Sequence, residues 1–208
     1  MSFNIYEPGT VSRSTLAIPS YNYGPGPAPL PPAVLSKINS EFFNVENSQV
    51  PVLNMSHRSP EFTRILQGSQ AALRTTLLVP ETHSILFLHG GGHGMFAGVP
   101  LNLLSDVEKA ASGVHGEYLE GGTWTDRAMA EGGKYATVKS VEKIDRKTTA
   151  KYVYLCSNET VNGTEVRELP VLDTATLVVD MSSDICSKVI DWDRVGVGFG
   201  CTRKPDDD

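Results

Sequence analysis

The sequence contains no apolar run near the roughly 20 residues that a membrane-spanning helix needs. Residues 1–20 also lack the basic and then apolar order of a signal peptide. Basic residues are not clustered, and the net charge is -6, so there is no nucleic-acid-binding footprint. We therefore expect a soluble cytoplasmic protein with neither a membrane nor a nucleic acid as partner.

Cysteine is scarce as well. The chain has Cys156, Cys186 and Cys201, an odd number without the spacing of metal ligands. Unpaired cysteines argue for a reducing compartment such as the cytoplasm. The sequence therefore predicts neither a disulfide framework nor a metal site.

The most informative stretch is I-L-F-L-H-G-G-G-H-G-M-F at residues 85–96. Four apolar residues precede a glycine turn, and a helical pattern follows, so we expect a strand, a tight turn and a helix from Met95 to Leu104. Glycines let the backbone approach a ligand, and free N–H groups at a helix start attract an anion such as phosphate. An ordinary strand-to-helix connection also needs glycines, so the motif alone leaves both readings open.

A second helix start lies next to a candidate anion-binding pair. Ser59 is predicted to cap a helix that begins at Pro60. The buried face of this helix is predicted to contain Phe62, Ile65, Leu66 and Leu73. His57 and Arg58 precede the helix, where they form either a solvated surface pair or a clamp for an anion.

Residues 151–156, 176–179 and 195–199 are near-continuous apolar runs, which are typical of buried strands. Because turns or helices separate them, we expect an α/β fold, a mostly parallel sheet with flanking helices. Ligands bind such sheets at the carboxyl ends of the strands, where Thr160 and Asp180 follow. A buried Asp180 requires a cationic partner.

One cofactor, pyridoxal 5'-phosphate (PLP), would account for four features of this sequence. It needs an amine for a Schiff base, a carboxylate at its ring nitrogen, N–H donors for its phosphate and an aromatic face over its ring. The candidates are Lys204 after the last strand, Asp180, the glycine turn, and Trp124 after a glycine pair.

The same stretches resemble the phosphoserine aminotransferases, a family of fold-type I PLP-dependent enzymes. The resemblance covers about residues 20–200 and rests on ordered motifs, which are N-Y-G-P-G-P-A-P-L-P at 22–31, S-H-R-S-P-E-F at 56–62, G-G-G-H-G-M-F at 90–96 with V-P-L-N-L-L at 99–104, N-E-T-V-N-G at 158–163 and D-M-S-S-D-I at 180–185. It implies amino transfer between glutamate and 3-phosphohydroxypyruvate, giving phosphoserine for serine biosynthesis, by a homodimer.

The resemblance also implies a role for each candidate residue. The implied contacts to the cofactor phosphate, ring face, ring hydroxyl and ring nitrogen are Gly92 with His93, Trp124, Thr160 and Asp180, respectively. His57 and Arg58 would bind the substrate carboxylate and phosphate, and Lys204 would form the Schiff base.

The chain departs from the family pattern near Lys204. The family has Gly-Ala-Gln-Lys-Asn there, whereas this chain has C-T-R-K-P at 201–205, so Arg203 replaces a glutamine that contacts the phosphate. The resemblance also implies that the family's small carboxy-terminal domain is absent from this sequence. We expect a loose arm (1–20), an incomplete large domain (21–200) and an atypical tail (201–208), truncated just after the lysine and without useful turnover alone.

Two alternatives remain open. One is a non-catalytic truncated isoform or fragment that acts as an interaction module, for instance by pairing with a full-length subunit. The other is a dinucleotide-binding domain, because residues 92–97 fit G-x-G-x-x-A and Glu117 or Glu120 lies at a suitable distance for a ribose contact. The second explains neither Asp180 nor the His57 and Arg58 pair.

Overall fold

A computed structural model describes residues 30–42, 48, 50–104 and 113–201. The chain divides between Val52 and Leu53 into two units. In the first unit, helix α1 (Pro32–Glu41) has Pro32 in its first turn and no buried residue. The boundaries expected at residues 20 and 200 stay predictions.

The second unit, as far as it is described, combines three helices with seven strands. The helices are α2 (Pro60–Leu77), α3 (Gly91–Leu103) and α4 (Thr123–Gly132). The strands are β1 (Gly116–Leu119), β2 (Val138–Val141), β3 (Tyr152–Cys156), β4 (Asn158–Glu159), β5 (Thr164–Glu165), β6 (Thr176–Asp180) and β7 (Val197–Phe199). No helix in the described ranges is long and apolar enough to cross a membrane.

Five strands form a parallel sheet in the order β2-β1-β3-β6-β7, and β4 pairs with β5 in a short antiparallel hairpin. The predicted α/β fold with a mostly parallel sheet is confirmed. From β1 the chain continues to β2 on one side, whereas β3 lies on the other side. The carboxyl ends of β1 and β3 therefore flank a topological switch point, the usual position for a ligand in such sheets.

The sheet has an apolar core on each face. All residues of β3 are buried, and side chains alternate between the faces, which explains the continuous apolar run in the sequence. One core packs against α3 and α4 and contains Phe96, Val99, Tyr118, Tyr152, Tyr154 and Phe199. The other contains Val153, Leu155, Leu177, Val179, Ile190 and Val195.

The prediction of a strand at residues 85–88 is wrong. Leu86, Phe87 and Leu88 are 69%, 51% and 67% exposed. A strand needs backbone hydrogen bonds from a neighbour, and none of the described residues supplies them to these three. The carbonyl of Ile85 instead accepts a hydrogen bond from Gln70 Nε2 at 2.8 Å.

Helix α2 begins where the sequence predicts. Ser59 Oγ accepts the Phe62 N–H at 3.2 Å, and Pro60 occupies the first turn. Its predicted buried face is only partly covered, because no residue of α2 is fully buried and Leu66 is 36% exposed.

Candidate active site at the carboxyl edge of the sheet

Helix α3 presents an open N-terminus. Gly90 and Gly91 have φ angles of 119° and 58°, which glycine adopts without strain, so the helix begins at Gly91 and not at Met95 as predicted. The Gly94 N–H is the first amide bonded within the helix, to the Gly90 carbonyl at 3.0 Å. The preceding amides, at Gly91, Gly92 and His93, have no acceptor among the described residues, and such amides form a seat for an anion.

The N-terminus of α4 is closed by contrast. Glu159 is 1% exposed, and its carboxylate accepts the amides of Trp124 at 2.9 Å and Thr125 at 2.7 Å. Asn162 Oδ1 accepts the Thr123 N–H at 2.9 Å. The Glu159 carboxylate already occupies the first amides of α4. The unbonded amides at the start of α3 are therefore the candidate binding site for an anion.

Glu159→Gln should destabilise the protein by about 1–3 kcal/mol, because it places an amide NH2 group against a helix N–H that needs an acceptor. Urea unfolding followed by circular dichroism would measure the loss. Glu165→Gln is the control, because the Glu165 side chain is 43% exposed and should change the unfolding free energy little. Equal unfolding curves for the Glu159 variant and the parent would contradict this cap.

Trp124 and Thr160 meet at the switch point, one after β1 and the other after β3. Trp124 Nε1 donates a hydrogen bond to Thr160 Oγ1 at 2.9 Å. The Thr160 hydroxyl accepts in this bond, so its own proton stays available for a ligand oxygen. The Arg127 guanidinium carbon lies 4.9 Å from the centroid of the Trp124 ring, as in a cation–π contact.

Asp180 is the last residue of β6, and both oxygens of its carboxylate accept hydrogen bonds. The residue is 4% exposed. Oδ1 accepts the Ser182 N–H at 3.0 Å and the Ser182 hydroxyl at 2.6 Å, and Oδ2 accepts the Tyr154 hydroxyl at 3.1 Å. Burial raises the pKa of Asp180 above its ordinary value, although these hydrogen bonds act to lower it. No cationic side chain in the described ranges forms an ion pair with it, so a cationic ligand would relieve its desolvation.

The open end of α3 lies at the same edge of the sheet as Asp180. In the parallel register Asp180 lies opposite Phe199, and the Phe96 ring of α3 contacts the Tyr154 and Phe199 rings at 6.4 and 6.5 Å between centroids. A Cβ added to Gly91 would lie 3.7 Å from Cys201 Sγ, just after β7. The anion seat and the acid therefore border one site.

The other predicted residues are less closely tied to this edge. His57 and Arg58 are exposed, and in the described part of the chain no hydrogen bond, ion pair or ring contact joins their side chains to Asp180, Trp124 or Thr160. The exposed His93 side chain packs its ring 5.4 Å from that of Phe96. Arg203 and Lys204 lie outside the described residues.

Three residues of the site had no role in the sequence analysis. Glu159 is a buried acid beside a strand end, and the argument applied to Asp180 would have found it. Ser182 lies two residues after Asp180 in a polar turn, a spacing at which Asp side chains bond the backbone. Tyr154 gives no such signal, because its strand is apolar on both faces.

The environment of Cys156 argues against a nucleophilic role. Burial, with the nearby carboxylates of Asp180 and Glu159, raises the pKa of its thiol to about 12. Reactive cysteines have lowered pKa values instead.

The structure does not favour a dinucleotide site. No strand precedes the glycine turn among the described residues. Glu117 Oε1 accepts the Thr148 hydroxyl at 2.8 Å, and Glu120 Oε1 accepts the Ser140 hydroxyl at 2.8 Å. Either acid considered for the ribose contact therefore already accepts a hydrogen bond from a protein hydroxyl.

The sheet edge thus combines an open helix N-terminus, a buried acid and an aromatic ring, and comparison with known proteins assigns the chain to a family. The chain belongs to the aminotransferase class-V family, whose model matches residues 20–201. Phosphoserine aminotransferase 1, chloroplastic, of Arabidopsis thaliana is 36% identical over 198 residues, which cover 88% of this chain and 45% of that protein.

Solved structures give the same result. The phosphoserine aminotransferase from Bacillus circulans subsp. alkalophilus has a TM-score of 0.75 and 29% identity, over 86% of this chain and 52% of that one. The PLP bound phosphoserine aminotransferase from Trichomonas vaginalis has a TM-score of 0.74 and 32% identity, over 87% and 53%. The resemblance to phosphoserine aminotransferases is confirmed, and the chain spans about half the length of the relatives that it matches.

Proposed function

We propose that this chain binds PLP and carries the cofactor-binding part of a phosphoserine aminotransferase. The reaction transfers an amino group between glutamate and 3-phosphohydroxypyruvate, with phosphoserine as product, in serine biosynthesis. The observation that carries the proposal is the open N-terminus of α3 at the sheet edge where Asp180 is buried without a cationic partner among the described residues. A ligand with a phosphate and a protonated ring nitrogen satisfies both features.

The residues of this edge fit PLP. The Gly92 and His93 amides would bind the phosphate, Asp180 would hold the ring nitrogen protonated, and the Thr160 hydroxyl would donate to the ring oxygen. The Trp124 indole would cover the ring face. When bound, PLP supplies the electron sink that amino transfer requires.

The remaining roles rest on the resemblance. Lys204 is proposed as the Schiff-base lysine, and Arg203 as an additional phosphate contact. His57 and Arg58 are proposed to bind the substrate carboxylate and phosphate, which suits an exposed arginine because guanidinium binds such groups in a bidentate manner. A homodimer is proposed, as is the cytoplasm, a reducing compartment that suits three free cysteines.

The test is a titration of the purified chain with PLP, followed by visible absorption, with a parallel titration with NAD. We expect a saturable spectral change with PLP and no binding of NAD. Borohydride reduction and peptide mapping would then ask whether Lys204 is the modified lysine. Saturable NAD binding, or no spectral change with PLP, would refute the proposal.

A further inference from the structure

Ser182 contacts both Asp180 and the segment that follows β7. Its hydroxyl donates to Asp180 Oδ1 at 2.6 Å, and the same oxygen accepts the Cys201 N–H at 3.1 Å. A backbone amide can only donate, so the Ser182 oxygen must accept there, and its own proton is free to point at the carboxylate. The geometry thus fixes the direction of both hydrogen bonds.

The two oxygens of Asp180 are not equally occupied. A carboxylate oxygen accepts about two hydrogen bonds. Oδ1 has two donors, the amide and the hydroxyl of Ser182, whereas Oδ2 has one, the Tyr154 hydroxyl at 3.1 Å. The free acceptor direction is therefore on Oδ2.

We propose that Ser182 is a positioning residue of the cofactor site: its hydroxyl occupies Oδ1 of Asp180, so that Oδ2 meets the ring nitrogen of PLP. It also ties this carboxylate to the backbone at Cys201, three positions before Lys204. The orientation of Asp180 is thereby coupled to the start of the segment that carries the lysine. This inference rests on the proposed function, because PLP is the ligand whose nitrogen Asp180 would meet.

Removing the Ser182 hydroxyl should make the ionised form of Asp180 less stable relative to the protonated form. Among the described residues, the titratable groups that face Asp180 are Tyr154 and Cys156 on β3 and Glu159 on β4, and none of these is a cation that could replace the lost donor. Ser182→Ala should therefore raise the pKa of Asp180 further and reduce the preference for a protonated ring.

Two NMR measurements test the coupling. In the cofactor-free chain, a ¹³C titration of the Asp180 carboxyl carbon should show a higher midpoint for Ser182→Ala. With ¹⁵N-labelled PLP bound, the ring-nitrogen signal should move toward that of the unprotonated ring. PLP affinity should fall roughly 10-fold, as for one lost hydrogen bond to a charged group. Ser182→Thr, which retains a hydroxyl, should restore all three.

Ser183→Ala is the matched control. The Ser183 hydroxyl donates to the Asn158 carbonyl at 3.1 Å and accepts from Asn158 Nδ2 at 2.9 Å, without contact to Asp180. An unchanged Asp180 titration in Ser182→Ala, or an equal change in Ser183→Ala, would overturn the inference. The titration needs no PLP, so a parent chain that fails to bind PLP refutes the proposed function while Ser182 is still judged by the cofactor-free measurement.

Discussion

Gly92→Val should abolish detectable PLP binding and leave the chain folded. The branched side chain would cover the amides of Gly92 and His93, which are proposed to hold the phosphate. Each charge-assisted hydrogen bond contributes about 1.5–3 kcal/mol, so loss of both weakens binding by roughly 100-fold or more. Absorption titration with PLP measures the loss.

The fold should tolerate this change for a local reason. A Cβ at Gly92 meets only Phe96 Cζ, at an ordinary contact distance of 3.8 Å, and valine is no worse than glycine in a helix. Gly98→Val is the control, because it lies in the same helix and its Cβ would meet nothing within 4 Å. PLP affinity equal to that of the parent in the Gly92 variant would show that the phosphate binds elsewhere.

Asp180→Asn should have opposite effects on stability and on cofactor chemistry. Without PLP, the variant should unfold at a higher temperature near neutral pH, because it removes a buried charge. Its amide oxygen can still accept from Ser182, and its NH2 group can donate to the Tyr154 hydroxyl. With PLP bound, the ring nitrogen should lose its proton, because no carboxylate faces it.

The pH dependence follows from the raised pKa of Asp180. Stability from this group is fully present below its ordinary pKa of 3.8 and is lost as the pH rises through the higher folded value. The gain from Asp180→Asn should therefore be small near pH 3 and grow toward pH 7 in thermal unfolding. Tyr154 and Cys156 stay neutral over this range, because burial raises both of their pKa values. The exposed Asp193→Asn is the control, and a constant gain at every pH would contradict the assignment.

Strand prediction succeeded where burial is complete on both faces. β3 and β6 are runs of five residues that are almost all buried, and their apolar composition is visible in the sequence. β1 and β2, four residues each, include Glu117 and Lys139 and gave no strand signal. Residues 85–88 gave a strong signal without forming a strand, because hydrogen-bonded pairing depends on a neighbour that local composition does not specify.

In the candidate site too, some residues could be predicted from the order of elements, whereas others depend on contacts between distant segments. Asp180 and Thr160 were predicted because the carboxyl ends of parallel strands come together at one edge, a rule that needs only the order of elements. The contacts of Glu159 with α4 and of Ser182 with Cys201 join segments far apart in sequence, 34 and 19 positions for the bonds to Thr125 and Cys201. Such contacts become visible only when the chain is folded.

The exposed segment at residues 86–88 affects how the protein behaves at high concentration. Leu86, Phe87 and Leu88 combine apolar side chains with backbone groups that no described residue engages. An exposed apolar segment with unpaired backbone groups can pair with the same segment of another molecule. The lifetime of the dispersed chain should therefore shorten as its concentration rises.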